Sequence, residues 1–286
     1  MSNDTVLVLG ASGKTGRRVA ARLRVMGCPV RTASRSSAHR FDWSDPDTWD
    51  PVLAGVGSVY LVPPTFVGPV ADFVARAEAA GVQRLVVLSG RNADQWGSDD
   101  FGAEMLAAEA AVRDSALDWT ILRASNFQQN FTEDVFADGV IAGVVALPVG
   151  EVPEPFIDVE DIAEVAVTVL TSTGHTGRIY ELSGPRALTF AEAVGQISAA
   201  TDRPIEFRQL TFGEHIESRI AEGWPRTDAE SLTAMFEIMS TGVISTTSDD
   251  VRQLLGREAA PFEDYVVRTA ASGAWDIDDR EAGPAI

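Results

Sequence analysis

The sequence predicts an α/β fold, a Rossmann-type doubly wound parallel sheet with a smaller, mostly helical C-terminal lobe. Three observations carry that prediction. Short apolar, β-branched runs alternate with helix-length stretches through the first 150 residues, a glycine-rich turn follows the first of these runs, and helical sequence dominates afterwards. At 286 residues, with 45% hydrophobic side chains, the chain is long enough to bury a large core.

The elements follow in order. TVLVLG (5–10), PVRTAS (29–34), HRFDW (39–43), SVYLVP (58–63), RLVVLS (84–89) and DWTILRA (118–124) have the composition of strands covered on both faces. Between them, 15–26, 47–53, 66–80 and 101–115 are helical in length and pattern, which sets up right-handed crossovers. Beyond residue 150, VEDIAEVAVTVLTS reads as helix, RIYELSG and IEFRQLT as strands, and 211–256 as several helices with Gly and Pro breaks. The expected organisation is a dinucleotide-binding Rossmann domain over 1–150, a substrate-binding lobe over 151–274 with some chain exchange between the lobes, and an acidic tail over 275–286.

Charge narrows the function classes. Lys and Arg total 23 against 42 Asp and Glu, a net charge of -19, which repels a nucleic-acid backbone or an anionic membrane surface. Neither partner is expected. The single Cys28 precludes an intrachain disulfide and suits a reducing cytoplasm, and the N-terminus lacks the basic region of a signal peptide. His39, His175 and His215 have no ligand spacing, so no metal site is expected and each reads as a surface or satisfied histidine.

VLGASGKTGRR (8–18) admits two chemistries. Gly13-Lys14-Thr15 resembles the end of an NTPase P-loop, but that loop needs its first glycine at position 8, where Val8 stands in the strand. Gly10, Gly13 and Gly16 fit a strand-to-helix dinucleotide turn: a tight bend, close backbone approach to a pyrophosphate, and close packing of helix on strand. The phosphate would then meet the helix N-terminus near Thr15. At the end of the second strand, where an NAD site usually has an acid for the ribose hydroxyls, Ser34 and Arg35 stand instead. With Lys14 they suit a 2′-phosphate, so NADPH/NADP+ is the expected cofactor.

GASGKTGRR, ASRS, RFDWSDPDTW, SVYLVPP, RLVVLSG and DWTILRASNFQQNF together resemble the NmrA-like, atypical short-chain dehydrogenase/reductase family. The nearest resemblance is to ergot-alkaloid reductases of the festuclavine synthase and agroclavine dehydrogenase type. It extends over about residues 5–270, since TTSDDVRQLLGREAAPFEDYV also resembles the family's C-terminal helices. It implies cofactor contacts at Gly10, Ser12, Gly13, Lys14, Thr15, Gly16, Ser34 and Arg35. It further implies Asp42 and Trp43 beside the adenine, Val62, Pro63 and Pro64 along the diphosphate and ribose, and Ser89, Asn126 and Phe127 near the nicotinamide.

A departure from the wider superfamily bears on chemistry. Short-chain reductases of the usual kind protonate a developing alkoxide with a Tyr assisted by a Lys four residues on, and FGAEMLAAEAAVRDS (101–115) has neither; Glu109 is followed by Ala110, where many NmrA-like reductases keep a lysine. An iminium ion needs no acid, and a quinone or activated enone needs little. The expected activity is therefore NADPH-dependent hydride transfer to such an electrophile in a small-molecule, natural-product-type pathway. Ser89 is the one catalytic candidate. Trp96, Phe101, Phe127 and Trp224 are candidates to stack on substrate, and Gln128 and Asn130 to hydrogen-bond it. Asp99, Asp100 and Glu104 read as helix-dipole complements. The alternative class is a non-catalytic NADP(H) sensor of NmrA type, favoured by the missing Tyr and Lys. Monomer and homodimer are both compatible with the sequence.

Overall fold

A computed structural model describes residues 5–96 and 101–277. Its strands are β1 (Thr5–Leu9), β2 (Val30–Ser34), β3 (His39–Arg40), β4 (Val56–Leu61), β5 (Arg84–Gly90), β6 (Asp118–Ala124), β7 (Val144–Leu147), β8 (Arg178–Leu182) and β9 (Glu206–Gln209). The helices are α1 (Lys14–Val25), α2 (Trp49–Leu53), α3 (Pro69–Ala79), α4 (Ala103–Arg113), α5 (Asn130–Glu133), α6 (Ala137–Ala142), α7 (Val159–Thr171), α8 (Phe190–Ala200), α9 (Phe212–Ala221), α10 (Arg226–Ser240), α11 (Asp250–Leu255) and α12 (Phe262–Ala271).

The chain divides into two units. The first comprises Met1–Ser125, Val159–Ser183 and Ser248–Ala259; the second comprises Asn126–Asp158, Gly184–Thr247 and Ala260–Ile286. The division differs from a single boundary at residue 150, because the segment after β6 leaves the sheet early while α7 and β8 return to it. Strand β8 extends the sheet beyond β6, and α7 buries nine of its side chains, from Val159 to Leu170.

In the first unit seven parallel strands run in the order β3-β2-β1-β4-β5-β6-β8. This is the predicted Rossmann-type architecture. Central strands have no polar face: Leu7, Val8, Leu9, Val59, Tyr60, Leu61, Leu85, Val86 and Val87 are fully buried, as strands covered on both sides require. Arg18 and Arg22 of α1 pair with Glu160 and Glu164 of α7. The third strand is shorter than 39–43. Phe41 turns inward after Arg40, its N–H on the Ser34 carbonyl and its ring edge-on to Trp43 and Phe73, so burial of the aromatics ends the ladder.

The second unit is built around phenylalanine. Phe131, Phe136, Phe156, Phe190 and Phe262 are buried with ring centroids 5.0–6.1 Å apart, beside a two-stranded parallel pair of β7 and β9. Capping boxes of Thr189 with Glu192 and Thr211 with Glu214 start α8 and α9. Trp275, where the acidic tail was expected to begin, is buried, and its indole N–H donates to the Phe131 carbonyl at 2.8 Å. The rest of that tail from residue 278 onward, like Asp99 and Asp100, lies outside the described residues. Among the described residues no helix is long and apolar enough to cross a membrane, and no cluster of metal-ligating side chains is present.

Candidate functional site

The glycine turn sits at the carboxyl end of β1, and its three glycines have different physical duties. Gly10 has φ +63°, a conformation that favours glycine, and its carbonyl accepts from the Gly13 N–H at 2.8 Å. A β-carbon on Gly16 would lie 2.3 Å from that carbonyl oxygen, so the residue must be glycine for α1 to approach β1. A β-carbon on Gly13 would meet only the Gly10 oxygen, at 3.2 Å, leaving its outer side open. Gly13 caps α1, no side chain caps that end, and the first turn holds no acid while containing Lys14 and the buried Thr15. An open glycine at an uncapped, acid-free helix start fits a bound pyrophosphate. Ser12 is exposed on the same turn.

The neighbouring strand ends bring further expected residues to this edge. At the end of β2, Ser34 Oγ lies 2.5 Å from Ser37 Oγ, and Arg35 is exposed. Asp42 accepts from Ser44 Oγ at 2.6 Å and from Ser44 N at 3.0 Å; these hydrogen bonds, with Arg40 and Arg35 nearby, hold its carboxyl below the ordinary carboxylate range. Trp43 donates through its indole N–H to the Val62 carbonyl at 3.3 Å and packs edge-on against Phe41, Trp49 and Phe73. It therefore fixes the end of β4. A β-carbon on Gly10 would touch Val62, so the β1 turn and the Val62-Pro63-Pro64 turn are in contact.

At the end of β5 lies a buried ionic network that the sequence did not reveal. Ser89 Oγ donates to Glu109 Oε1 at 2.7 Å; Arg123 grips the same carboxylate through Nε and Nη2, both at 2.8 Å; Arg113 adds a contact at 2.7 Å. Arg123 Nη1 reaches Asp94 at 2.5 Å and Glu181 at 3.2 Å. Burial raises the Glu181 pKa, against the lowering effect of the Asn92 N–H and Arg123. A carboxylate held by two guanidinium groups can only accept, so the single hydroxyl proton of Ser89 is committed to it. Glu109 and Arg123 were missed because their pairing spans 14 residues with no motif. Nearby, Trp96 stacks at 5.5 Å on Phe101, its indole N–H on the Arg91 carbonyl, and it fills the space where side chains on Gly90 and Gly102 would otherwise be.

The remaining expected residues belong to the second unit. Asn126 is half-buried, with Nδ2 donating to Met239 Sδ at 3.4 Å, and Phe127 forms a bridge to Ile157. Gln128 departs from the expectation of a substrate contact. It is wholly buried, with Nε2 donating to the Phe156 and Ala260 carbonyls at 3.2 and 3.1 Å, because the chain turns inward at this residue. Asn130 is half-buried at the start of α5. Trp224 lines a cavity of about 890 Å³ with Phe136, Leu147, Leu232 and Phe236. His215 also lines it, buried, with Nδ1 2.8 Å from Thr233 Oγ1; burial, with a smaller effect of Arg219, lowers its pKa to about 4.

Comparison with known proteins bears on the family and the fold. Residues 10–173 match the sequence profile of a family described as NAD(P)H-binding. A (4-alkanoyl-5-oxo-2,5-dihydrofuran-3-yl)methyl phosphate reductase of Streptomyces griseus is 35% identical over 283 residues, spanning 94% of this chain and 99% of the relative. An agroclavine dehydrogenase of Claviceps fusiformis is 30% identical over 290 residues, spanning 92% of this chain and 96% of its own. The crystal structure of the NADPH complex of a quinone oxidoreductase from Escherichia coli superposes with a TM-score of 0.79 at 22% identity, covering 92% of this chain and 99% of that one.

Proposed function

The chain belongs to the NAD(P)H-binding, NmrA-like family of atypical short-chain dehydrogenases/reductases, and we propose that it is an NADPH-dependent reductase of a small molecule whose double bond is already activated. The observation that carries this reading is the Ser89–Glu109–Arg123 network: α4, the helix where a short-chain reductase would keep its acid, supplies instead a carboxylate gripped by Arg123, and the hydroxyl at the end of β5 has its only proton engaged by that carboxylate. A substrate reduced here must bring its own activation.

Gly10, Ser12, Gly13, Thr15 and Gly16 would hold the pyrophosphate, and Lys14, Ser34 and Arg35 the 2′-phosphate. Asp42, Trp43, Val62, Pro63 and Pro64 would border the adenosine half, with Ser89, Asn126 and Phe127 toward the nicotinamide. When bound, the cofactor supplies the hydride. The chain's part is to orient the electrophile and exclude water. Ser89, its proton given to Glu109, can only accept a hydrogen bond from a ligand, and so positions. Trp224 would meet a ligand in the cavity that it lines in the second unit, and Trp96 and Phe101 would offer an aromatic pair at the end of β5.

Relatives support an activated double bond. The Streptomyces griseus enzyme is named for a dihydrofuranone whose ring alkene is conjugated with two carbonyls, so negative charge arriving on the ring is delocalised onto oxygen without an enzymic acid. An iminium carbon achieves the same end, since hydride neutralises its charge. The test is loss of NADPH absorbance with a panel of cyclic iminium ions, doubly activated enones and quinones, beside simple ketones as controls. Turnover of an activated class and not of ketones is expected. Tight NADPH binding with no turnover of any class would favour the sensor reading, in which the network serves only the fold.

A further inference from the structure

The cavity of the second unit has two walls, one from 132–147 and the other from the hairpin of α9 and α10. His215 occupies the α9 wall, and its two ring nitrogens differ. Thr233 Oγ1 donates its only proton to the Ala229 carbonyl at 2.7 Å, so it can only accept from the imidazole at 2.8 Å. The proton of the neutral ring is therefore on Nδ1. Nε2 is left as a bare acceptor, and it makes no hydrogen bond among the described residues. Burial keeps the ring neutral near pH 7, and Phe236 holds it edge-on at 5.1 Å.

The surrounding walls specify the rest of a ligand. Phe136, Leu147, Trp224, Leu232 and Phe236 are apolar or aromatic. Among the charged lining residues, Glu133, Asp134, Asp138 and Glu222 stand against Arg219 alone, and Arg219 is already paired with Glu222 at 2.9 Å. The field favours a cation. Its volume, about 890 Å³, is ample for a molecule of two to four fused rings.

We propose that this cavity binds a ring-bearing organic cation whose protonated nitrogen donates a hydrogen bond to Nε2 of His215. An anion would meet the carboxylates, and a neutral ring without a donor would leave Nε2 desolvated and unsatisfied. That the cation is the molecule reduced rests on the reductase reading; its binding does not, and can be measured without cofactor.

The test uses three probes of one shape on the full chain: 2-naphthylmethylammonium, its N,N,N-trimethyl analogue, which keeps the charge but has no N–H, and 2-naphthylmethanol, which keeps a donor but no charge. Binding is read by tryptophan fluorescence and calorimetry. The ammonium should bind at least about tenfold tighter than either other probe, the margin of one charge-assisted hydrogen bond. Thr233→Val, nearly isosteric, removes the acceptor at Nδ1 and lets the ring proton move to Nε2. Ammonium affinity should then fall about tenfold while the trimethyl analogue is unmoved. Equal affinity for all three probes, or an ammonium affinity unchanged in Thr233→Val, overturns the proposal. Turnover of a neutral enone by a protein that ignores the ammonium would overturn it and leave the reductase reading intact. Ammonium binding in a protein that reduces nothing would uphold the site and remove the reductase.

Discussion

The two units bury their polar chemistry in opposite ways. In the first, a full ion pair, Glu109 with Arg123, is buried at the end of β5 and tied to Ser89, Arg113, Asp94 and Glu181. In the second, a neutral imidazole is buried against a threonine, with carboxylates along the cavity wall. The difference teaches what each place can do. A charged network saturated with partners fixes geometry and has no proton to give, whereas a neutral ring with one unused nitrogen is available to a ligand.

The largest effects should come from the glycine turn, where fold and cofactor binding can be separated. Gly16→Ala puts a methyl group 2.3 Å from the Gly10 oxygen and 2.8 Å from its carbon, a backbone clash that can be relieved only by moving α1. Stability should fall by roughly 3 kcal/mol, read from denaturant melts. Gly13→Val meets no such wall, and its melt should stay near that of the parent while NADPH affinity, read by fluorescence titration, drops by more than about a hundredfold. An intact affinity in Gly13→Val would remove the turn from the cofactor site and with it the basis of the comparison.

Comparable in size is Arg123→Leu. It leaves the buried Glu109 carboxylate with Arg113 and Ser89 only, and should cost about 3–5 kcal/mol of stability. A cost below about 1 kcal/mol would mean that the ion pair is replaceable by apolar packing, as some buried pairs are. The first unit would then be no more committed than the second.

The same contrast explains what could be read before any coordinates. Backbone conformation is a local demand, so the glycines at 10, 13 and 16 and the elements on either side of them were legible as a tight strand-to-helix turn. Inward turns are tertiary choices. Phe41 ends β3 early because an aromatic cluster awaits it, Gln128 turns into the core to satisfy two carbonyls, and Trp275 is pinned to Phe131; none of these demands is written in the spacing. Glu109 and Arg123 sit on a helix and a strand whose patterns are otherwise ordinary, and His215 meets Thr233 only because α9 and α10 pair.

Acid should probe the neutral histidine. Burial, then the charge of Arg219, lowers the His215 pKa from 6.5 to about 4, so the unfolded chain takes up a proton at a higher pH than the folded one. His215 therefore has no effect on stability well above pH 6.5, lowers it as pH falls from about 6.5 to 4, and adds no further change below that, with a total of at most about 3 kcal/mol. His215→Phe should flatten that part of the curve in equilibrium unfolding between pH 7 and 4. An unchanged slope would place the ring's proton uptake outside this window.

Arg35→Ala is expected to be smaller and selective. Arg35 is exposed, so the fold should not notice its loss, while NADPH binding weakens about ten- to thirtyfold and NADH binding stays within about twofold. Equal weakening of both would assign Arg35 to something other than the 2′-phosphate.

Ser89→Ala should have the smallest effect, and it bears most directly on the contrast. Removing the hydroxyl leaves Glu109 with both bonds from Arg123 and the bond from Arg113, so the carboxylate remains paired and the loss of stability should be about 1 kcal/mol. If the Ser89 proton is engaged, its removal takes away positioning alone: kcat should fall less than about tenfold, with the pH profile of kcat/KM unaltered. A proton donor would behave otherwise. Its loss would lower kcat by a hundredfold or more and erase the alkaline limb of the profile, in the range expected for a general acid. That result would mean the hydroxyl turns away from Glu109 during turnover, and the first unit would then supply a mobile proton of its own.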